Sequence, residues 1–323
     1  MRPIRIAWNR HRLVAGAGFS RSTNVHQSSG FIETAETLLD IRRELDNAGV
    51  YLQDEWSAVG DFSLYLGLRY DDFRSFGSHM TPRCGLVAHP GTRTTAKLLY
   101  GEAFRAPNAY ELYYADGISQ KGSPDLEPEQ IRTWELVLEQ DLAADPGTEI
   151  RLGLSVFDNA IDGLVEQVVD PVDDLLVFRN IGDARTYGAE VDLDARLLPG
   201  LRGRLSFSAQ RAEDRATGAL LTNAPARLFK LNLTTPRQGV KLAGALELLH
   251  TSRRLTLAGG HAAPYLVANL DLTWWTPVKG LQADLAVDNL LGQRYADPGA
   301  EHQLQDVLAR EGRLVRARLG WRW

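Results

Sequence analysis

Residues 315–323 read VRARLGWRW and close the chain on an aromatic residue. Taken in twos, Val315, Ala317, Leu319, Trp321 and Trp323 fall on one face, and Arg316, Arg318, Gly320 and Arg322 on the other. A strand points successive side chains to opposite sides, so this segment is apolar and aromatic on one side and cationic on the other. A transmembrane β-barrel needs that division, with lipid outside, a wet lumen inside and aromatic residues at the interface. An amphipathic edge strand of a soluble sandwich would need only this one segment, so the rest of the chain decides.

The same parity recurs along the chain. Phe62, Leu64, Leu66, Leu68 and Tyr70 alternate with Ser63, Tyr65, Gly67 and Arg69. Ile150, Leu152, Leu154 and Val156 alternate with Arg151, Gly153 and Ser155, and Leu201 to Ala209 and Leu266 to Trp274 behave alike. An arginine or lysine facing lipid at mid-bilayer costs about 2–4 kcal/mol, and a one-residue slip would bring several there at once. Connections give an independent signal. Short Pro/Gly-rich turns at 89–93, 145–148, 198–203, 235–239 and 276–280 alternate with long polar connections at 22–48, 105–128, 213–226, 252–264 and 291–311. Short turns at one end and long loops at the other are the asymmetry of an outer-membrane barrel. The pattern predicts about fifteen antiparallel strands in up-and-down order, the first near 2–8 and the last both running toward the short-turn end. Within the first long connection, residues 34–47 (TAETLLDIRRELDN) predict a short helix ending near Gly49.

Composition agrees by what it excludes. Asp and Glu outnumber Lys and Arg by 41 to 36, a net charge of −5, so no basic excess points to nucleic acid. The longest apolar run, near Leu13–Phe19, falls far short of the roughly 18 residues a spanning helix needs. Cys84 is the single cysteine, which excludes an intramolecular disulfide and a thiolate metal cluster. The histidines are scattered, with His11, His89 and His250 near strand ends, and none has the spacing of a zinc helix. Asp170, Asp173 and Asp174 lack a twelve-residue calcium loop and read as a polar hairpin tip. Gly16, Gly18 and Gly67 suit lumen-facing or closely packed strand positions. No serine elbow or other catalytic constellation emerges, so the chain reads as a non-enzyme with no cofactor.

Four segments carry a resemblance. GEAFRAPNAYELYY (101–114) with GSPDLEPEQIRTWELVLEQ (122–140), then NIGDARTYGAE (180–190), VDNLLGQRYADPG (287–299) and the terminal tryptophan occur in order. They resemble the barrel motifs of TonB-dependent outer-membrane receptors, closest in flavour to the cobalamin and siderophore branches, and the similarity covers nearly the whole chain. Read physically, Pro107, Pro124 and Pro128 mark where ladder pairing stops, and Asp125, Glu127 and Glu129 sit in a wet rim.

The resemblance implies an outer-membrane receptor for energy-coupled uptake of a bulky, scarce ligand such as a ferric siderophore or cobalamin. A smaller complete porin-like barrel for passive diffusion is the alternative. Candidate ligand contacts are Tyr110, Tyr113 and Tyr114, because clustered loop aromatics can grip a bulky ligand; anchoring at the membrane interface competes as their role. Trp321 and Trp323 are the expected assembly signal read by the barrel-assembly machinery. The family also implies a signal peptide, an energy-coupling segment, a plug and a barrel of about 22 strands. Residues 1–323 therefore read as the C-terminal part of such a barrel, with plug and signal peptide outside it. Contact with the TonB complex would come only through that plug. Outer-membrane lipid is the remaining expected partner.

Overall fold

The computed structural model describes residues 4–57, 60–145, 147–197, 200–235, 241–300 and 303–322. Their organisation follows from strict alternation: each segment pairs with its neighbour, apolar side chains on one face throughout. The first strands are β1 (Ile4–Trp8), β2 (His11–Phe31), β3 (Glu36–Ser57), β4 (Phe62–Phe73), β5 (Gly77–Gly91) and β6 (Thr94–Arg105). A short helix, α1 (Ala109–Tyr113), precedes β7 (Glu129–Asp145), β8 (Thr148–Val169), β9 (Leu176–Leu197) and β10 (Leu201–Asp214). Then come β11 (Arg227–Thr234), β12 (Leu242–Thr251), the two-residue β13 (Arg254–Leu255) and β14 (His261–Ala262), and β15 (Tyr265–Trp275). β16 (Leu281–Asp288), β17 (Ala296–Pro298), β18 (Val307–Ala309) and β19 (Leu314–Trp321) complete the order. Fifteen strands form one antiparallel sheet in chain order, while β13–β14 and β17–β18 are separate hairpins within long loops. No helix among the described residues is long and apolar enough to cross a membrane.

The expected strand count, the first strand near 2–8 and the run of the first and last strands toward the short-turn end all hold. The helix at 34–47 does not: Glu36 onward belongs to β3, paired with β2 through Phe31↔Glu36 and Ser29↔Leu39. Leu, Glu and Arg are good helix formers, but the preference is well under about 1 kcal/mol per residue, and a complete set of cross-strand hydrogen bonds overrides it. The connection expected at 22–48 shrinks accordingly to a tight turn, with Ala35 at φ 55, and bulges at Ser22/Val25 and Ser29/Gly30 absorb the irregular sequence. Trp323 and most of the turn at 235–239 lie outside the described residues.

Strands β2, β3, β8 and β9 run 21 or 22 residues, about twice the 9–11 that a tilted strand needs to span a bilayer core. All four project at the long-loop end, which lifts that end into a cap above the wall. The wall's outward face carries exposed apolar side chains, among them Leu52, Leu66, Leu136, Val156 and Leu319. Its lower margin is edged by Trp8, Trp56, Phe62, Trp274 and Trp321. The opposite face is polar and cross-linked, with Lys97 to Glu139 at 2.7 Å, Arg151 to Asp141 at 2.9 Å and Arg316 to Asp288 at 2.8 Å. Here glycine makes room: a Cβ on Gly16 would strike the Tyr51 ring, and one on Gly49 the Asp71 carboxylate. Asp71 is buried at 3% exposure and held by one edge of the Arg69 guanidinium, whose Nε and Nη2 each donate to a carboxylate oxygen at 2.6 Å.

A charged residue breaks parity near the lower margin. Asp54 shares the outward face with Leu52 and Trp56, and His11 Nδ1 meets its carboxylate at 2.7 Å. The Trp8 and Trp56 rings flank that imidazole at 6.3 and 5.9 Å, so the polar pair is shielded within the aromatic margin.

Candidate ligand-binding cap

The cap is built on the segment between β6 and β7. Pro107 ends the ladder, and Asn108 caps α1: its Oδ1 accepts from the Tyr110 and Glu111 amides at 2.9 and 3.0 Å. Glu111 closes the reciprocal half of this capping box by accepting from the Asn108 amide at 2.8 Å. Arg105, the last residue of β6, donates to both Glu129 oxygens at 2.6 Å and to Glu111 at 2.9 Å. One guanidinium thus ties the end of β6, the start of β7 and the helix together, a bidentate use that lysine cannot make. Asp116 accepts from the amides of Ile118, Ser119 and Gln120. The Ser119 hydroxyl, followed by these backbone donors, holds the Asp116 carboxyl far below its usual range.

The same loop then pairs with β9. Leu176 donates to Ser119 at 2.9 Å and accepts from Lys121 at 3.0 Å. Asn180, first residue of the NIG motif, accepts from the Glu127 amide at 2.8 Å and donates to the carbonyls of Glu127 and Gly163 at 2.8 and 2.7 Å. This amide clamps the loop onto the β8–β9 hairpin. Gly188 of the same motif sits where any Cβ would run into the Ala209 carbonyl of β10. Leu112, Leu126 and Val177 are buried at 1, 5 and 7% exposure and form a small apolar core beneath. At the tip, the Lys121 ammonium bridges Asp170 at 2.6 Å and Asp173 at 2.9 Å, and Arg179 also reaches Asp170. The hydrogen bond from Lys121 holds both carboxyls below their usual range. Of the three aspartates noted at this hairpin tip, Asp170 and Asp173 therefore hold a lysine, and no group of three or more metal-ligating side chains occurs among the described residues.

The three tyrosines singled out in the sequence all lie in the cap, where Tyr110 and Tyr114 pair and Tyr113 packs separately under Arg43. Tyr110 and Tyr114 lie 4.7 Å apart, with Phe178 edge-on to Tyr110 at 5.9 Å. The Tyr110 hydroxyl donates to Gln120 Oε1 at 2.9 Å, and the Tyr114 hydroxyl to Ser29 Oγ on the projecting β2 at 3.0 Å. The Arg43 guanidinium of β3 covers the Tyr113 ring at 4.0 Å. All three lie in the cap rather than in the aromatic margins of the wall. They join two regions of sequence separated by the lower β4–β5 hairpin, around whose tip Phe73, Phe76, His79 and Phe104 cluster. Trp321 is apart from all this, on the outward face of β19 opposite Leu281.

A second cluster holds the remaining long loops. Asn289 of the VDNLLG motif adopts φ 51 and uses its side chain both to accept from and donate to Gln293. Arg254, 8% exposed, donates to Asp297 at 2.5 Å and to Asn223 at 3.1 Å, linking three loops. Burial alone would push the Asp297 carboxyl up, but Arg254 and Arg310 hold it below its usual range. Arg43, Gln120, Asn180 and Arg254 escape sequence reasoning as site residues. Only the family motif flags Asn180, because the partners of Arg43, Asn180 and Arg254 lie far away in sequence, while Gln120 meets Tyr110 only through the fold of their shared loop.

The chain matches a family profile described as TonB dependent receptor-like, beta-barrel, over residues 4–290. Among curated proteins it is 28% identical over 203 residues to the iron-regulated outer membrane virulence protein of Vibrio cholerae serotype O1, covering 57% of this chain and 30% of that protein. Its fold is that of the ferric enterobactin receptor of Pseudomonas aeruginosa, solved in complex with enterobactin: TM-score 0.76 at 19% identity, covering 99% of this chain and 53% of that one. The siderophore receptor PirA of Acinetobacter baumannii gives TM-score 0.74 at 17% identity, with coverage of 99% and 53%. The chain thus spans about half the length of these solved structures and less than a third of the curated relative.

Proposed function

Because the chain belongs to the TonB-dependent receptor β-barrel family, we propose that it supplies wall, lumen lining and external loops to an outer-membrane receptor for a ferric siderophore. Uptake would be energy-coupled, with the fifteen strands forming the C-terminal wall of a larger barrel of about 22 strands. A plug elsewhere in that protein would receive the pull of the TonB complex. The barrel-assembly machinery would read Trp321 and Trp323. This is transport without covalent chemistry.

The observation that carries the reading is the cap itself. A diffusion pore needs an open mouth, whereas here a helix, an apolar core and an aromatic cluster are built above the wall at the cost of ordering long loops. Tyr110, 45% exposed, and Tyr113 under Arg43 offer ring faces and a cation to an anionic aromatic chelate. The iron-regulated relative favours iron over cobalamin as cargo.

Binding of radiolabelled ferric siderophores and of cobalamin to cells carrying the full-length receptor tests this. Ferric siderophore should bind, and Tyr113→Ala should weaken it by about fivefold or more, the worth of one stacking or cation–π contact. Binding of cobalamin alone would redirect the cargo. Ohmic conductance in planar bilayers with no ligand bound would favour the porin.

A further inference from the structure

Tyr110 is the most exposed of the three cap tyrosines, at 45%, yet its hydroxyl ends on a buried group. It donates at 2.9 Å to Oε1 of Gln120, a residue only 2% exposed. The same oxygen accepts from Gln167 Nε2 on β8 at 3.0 Å. One carbonyl oxygen thus carries two side-chain donors.

The main chain that bears this amide is fixed from two directions. The Gln120 N–H donates to Asp116 Oδ1 at 2.9 Å. Residue 120 also bridges Leu176 of β9, whose amide donates to Ser119 and whose carbonyl accepts from Lys121. Oε1 therefore projects from a rigid point. The ring it holds meets Tyr114 at 4.7 Å and the edge of Phe178 at 5.9 Å. Stacking limits that ring on one side, and the hydroxyl bond pins its far end.

The other end of the amide is unsatisfied. Gln120 Nε2 is buried and has no hydrogen-bond partner among the described residues. A buried donor left unpaired works against folding, and a leucine here would pack without that penalty. The cap has its apolar core in Leu112, Leu126 and Val177 and its clamp in Asn180, independently of this amide. What Gln120 adds is its oxygen, and the exposed ring which that oxygen controls is Tyr110. A local conflict with good packing is the mark of a residue kept for function.

We propose that Gln120 is a positioning residue for ligand binding. It holds the Tyr110 ring in the pose on which a siderophore's planar chelating groups stack, so the ring loses little freedom when the ligand arrives. The inference rests on the cap being the ligand site.

The test uses the full-length receptor, purified from membranes in detergent. It is titrated with a ferric tris-catecholate and with a ferric tris-hydroxamate, and quenching of tryptophan fluorescence gives the Kd of whichever binds. Gln120→Leu should bind about threefold to tenfold more weakly. Its cap should nevertheless resist proteolysis between residues 106 and 128 at least as well as the parent's. A residue that merely supports the cap would lower both readouts together. Tyr110→Phe, which removes the hydroxyl and keeps the ring, should show the same loss of binding. The double variant should lie within about twofold of either single one, because both delete one restraint. Undiminished binding by Gln120→Leu, a cap cut faster in that variant, or losses that add in the double variant would each overturn the positioning role alone. A parent that binds neither chelate would overturn the reading of the cap as a ferric-siderophore site, and this role with it.

Discussion

Val156 and Leu112 are both aliphatic, yet Val156 is 58% exposed in the middle of the wall and Leu112 is 1% exposed in the cap. The contrast extends to their surroundings. Apart from Ala243, the buried apolar residues lie toward the long-loop end, including Leu39, Leu126, Val177, Ala262 and Val267. The wall holds its backbone through an unbroken ladder and leaves its apolar side chains to the membrane, because in lipid every peptide group must be satisfied internally. The cap stands in water and must make its own core, caps and ion pairs, as a small soluble domain does. One chain therefore answers to two solvents. A substitution should act according to which of them it meets.

The largest expected effect lies in the cap. Leu112→Ala removes the most deeply buried leucine and should cost about 2–5 kcal/mol locally. Because the ladder below does not depend on this core, limited proteolysis should cut between residues 106 and 128 while heat-modifiable migration persists. Loss of both together would show that cap and wall form one cooperative unit.

Val156→Arg is the converse. It should cost about 2–4 kcal/mol by placing a charge against lipid. Its neighbour Ser155→Arg, turned to the lumen, should be close to neutral. Assembly yield in membranes separates them, and equal yields would dissolve the distinction between the faces.

The same division explains what the sequence could reveal. The period of two reports the wall directly, so Leu152, Leu154 and Val156 declare their face by their own spacing. Cap contacts have no period. Tyr114 finds Ser29 across 85 positions, and Asn180 finds Glu127 across 53. The residues at 34–47 show the failure most clearly, since their helical composition says nothing of the partner strand that extends them. The tyrosines were legible as a cluster because they are neighbours in sequence. Arg43, the cation that covers Tyr113, was not. The motif glycines were visible as motifs, but their reason, the backbone of β10 against Gly188, appears only in three dimensions.

Acid should also separate the regions. Asp116, Asp170 and Asp173 all have carboxyls held below their usual values by hydroxyl, amide or Lys121 donors. A carboxyl depressed in the folded state contributes stability that is complete above its unfolded pKa of about 4 and is lost as pH falls through the folded value. Cap amides around 116–121 and 170–176 should therefore exchange faster with deuterium below about pH 4, relative to the intrinsic rate, with wall amides of β7 and β8 unchanged. Uniform protection at low pH would mean that these ion pairs do not hold the cap.

The smallest expected effect tests the single hydrogen bond that reaches from the loop to the β2–β3 hairpin. Tyr114→Phe removes the hydroxyl that donates to Ser29 but keeps the ring against Tyr110 at 4.7 Å. A net hydrogen bond of this kind is worth about 0.5–1.5 kcal/mol. Hydrogen exchange should rise a few-fold at the tip of β2–β3 and at α1 together, since each end loses the same restraint. Ser29→Ala should reproduce the change, and the double variant should add little to either single one, because both delete one bond. Full additivity would instead mean that Tyr114 and Ser29 act through separate contacts. The hairpin and the loop would then be neighbours over the wall rather than one joined cap.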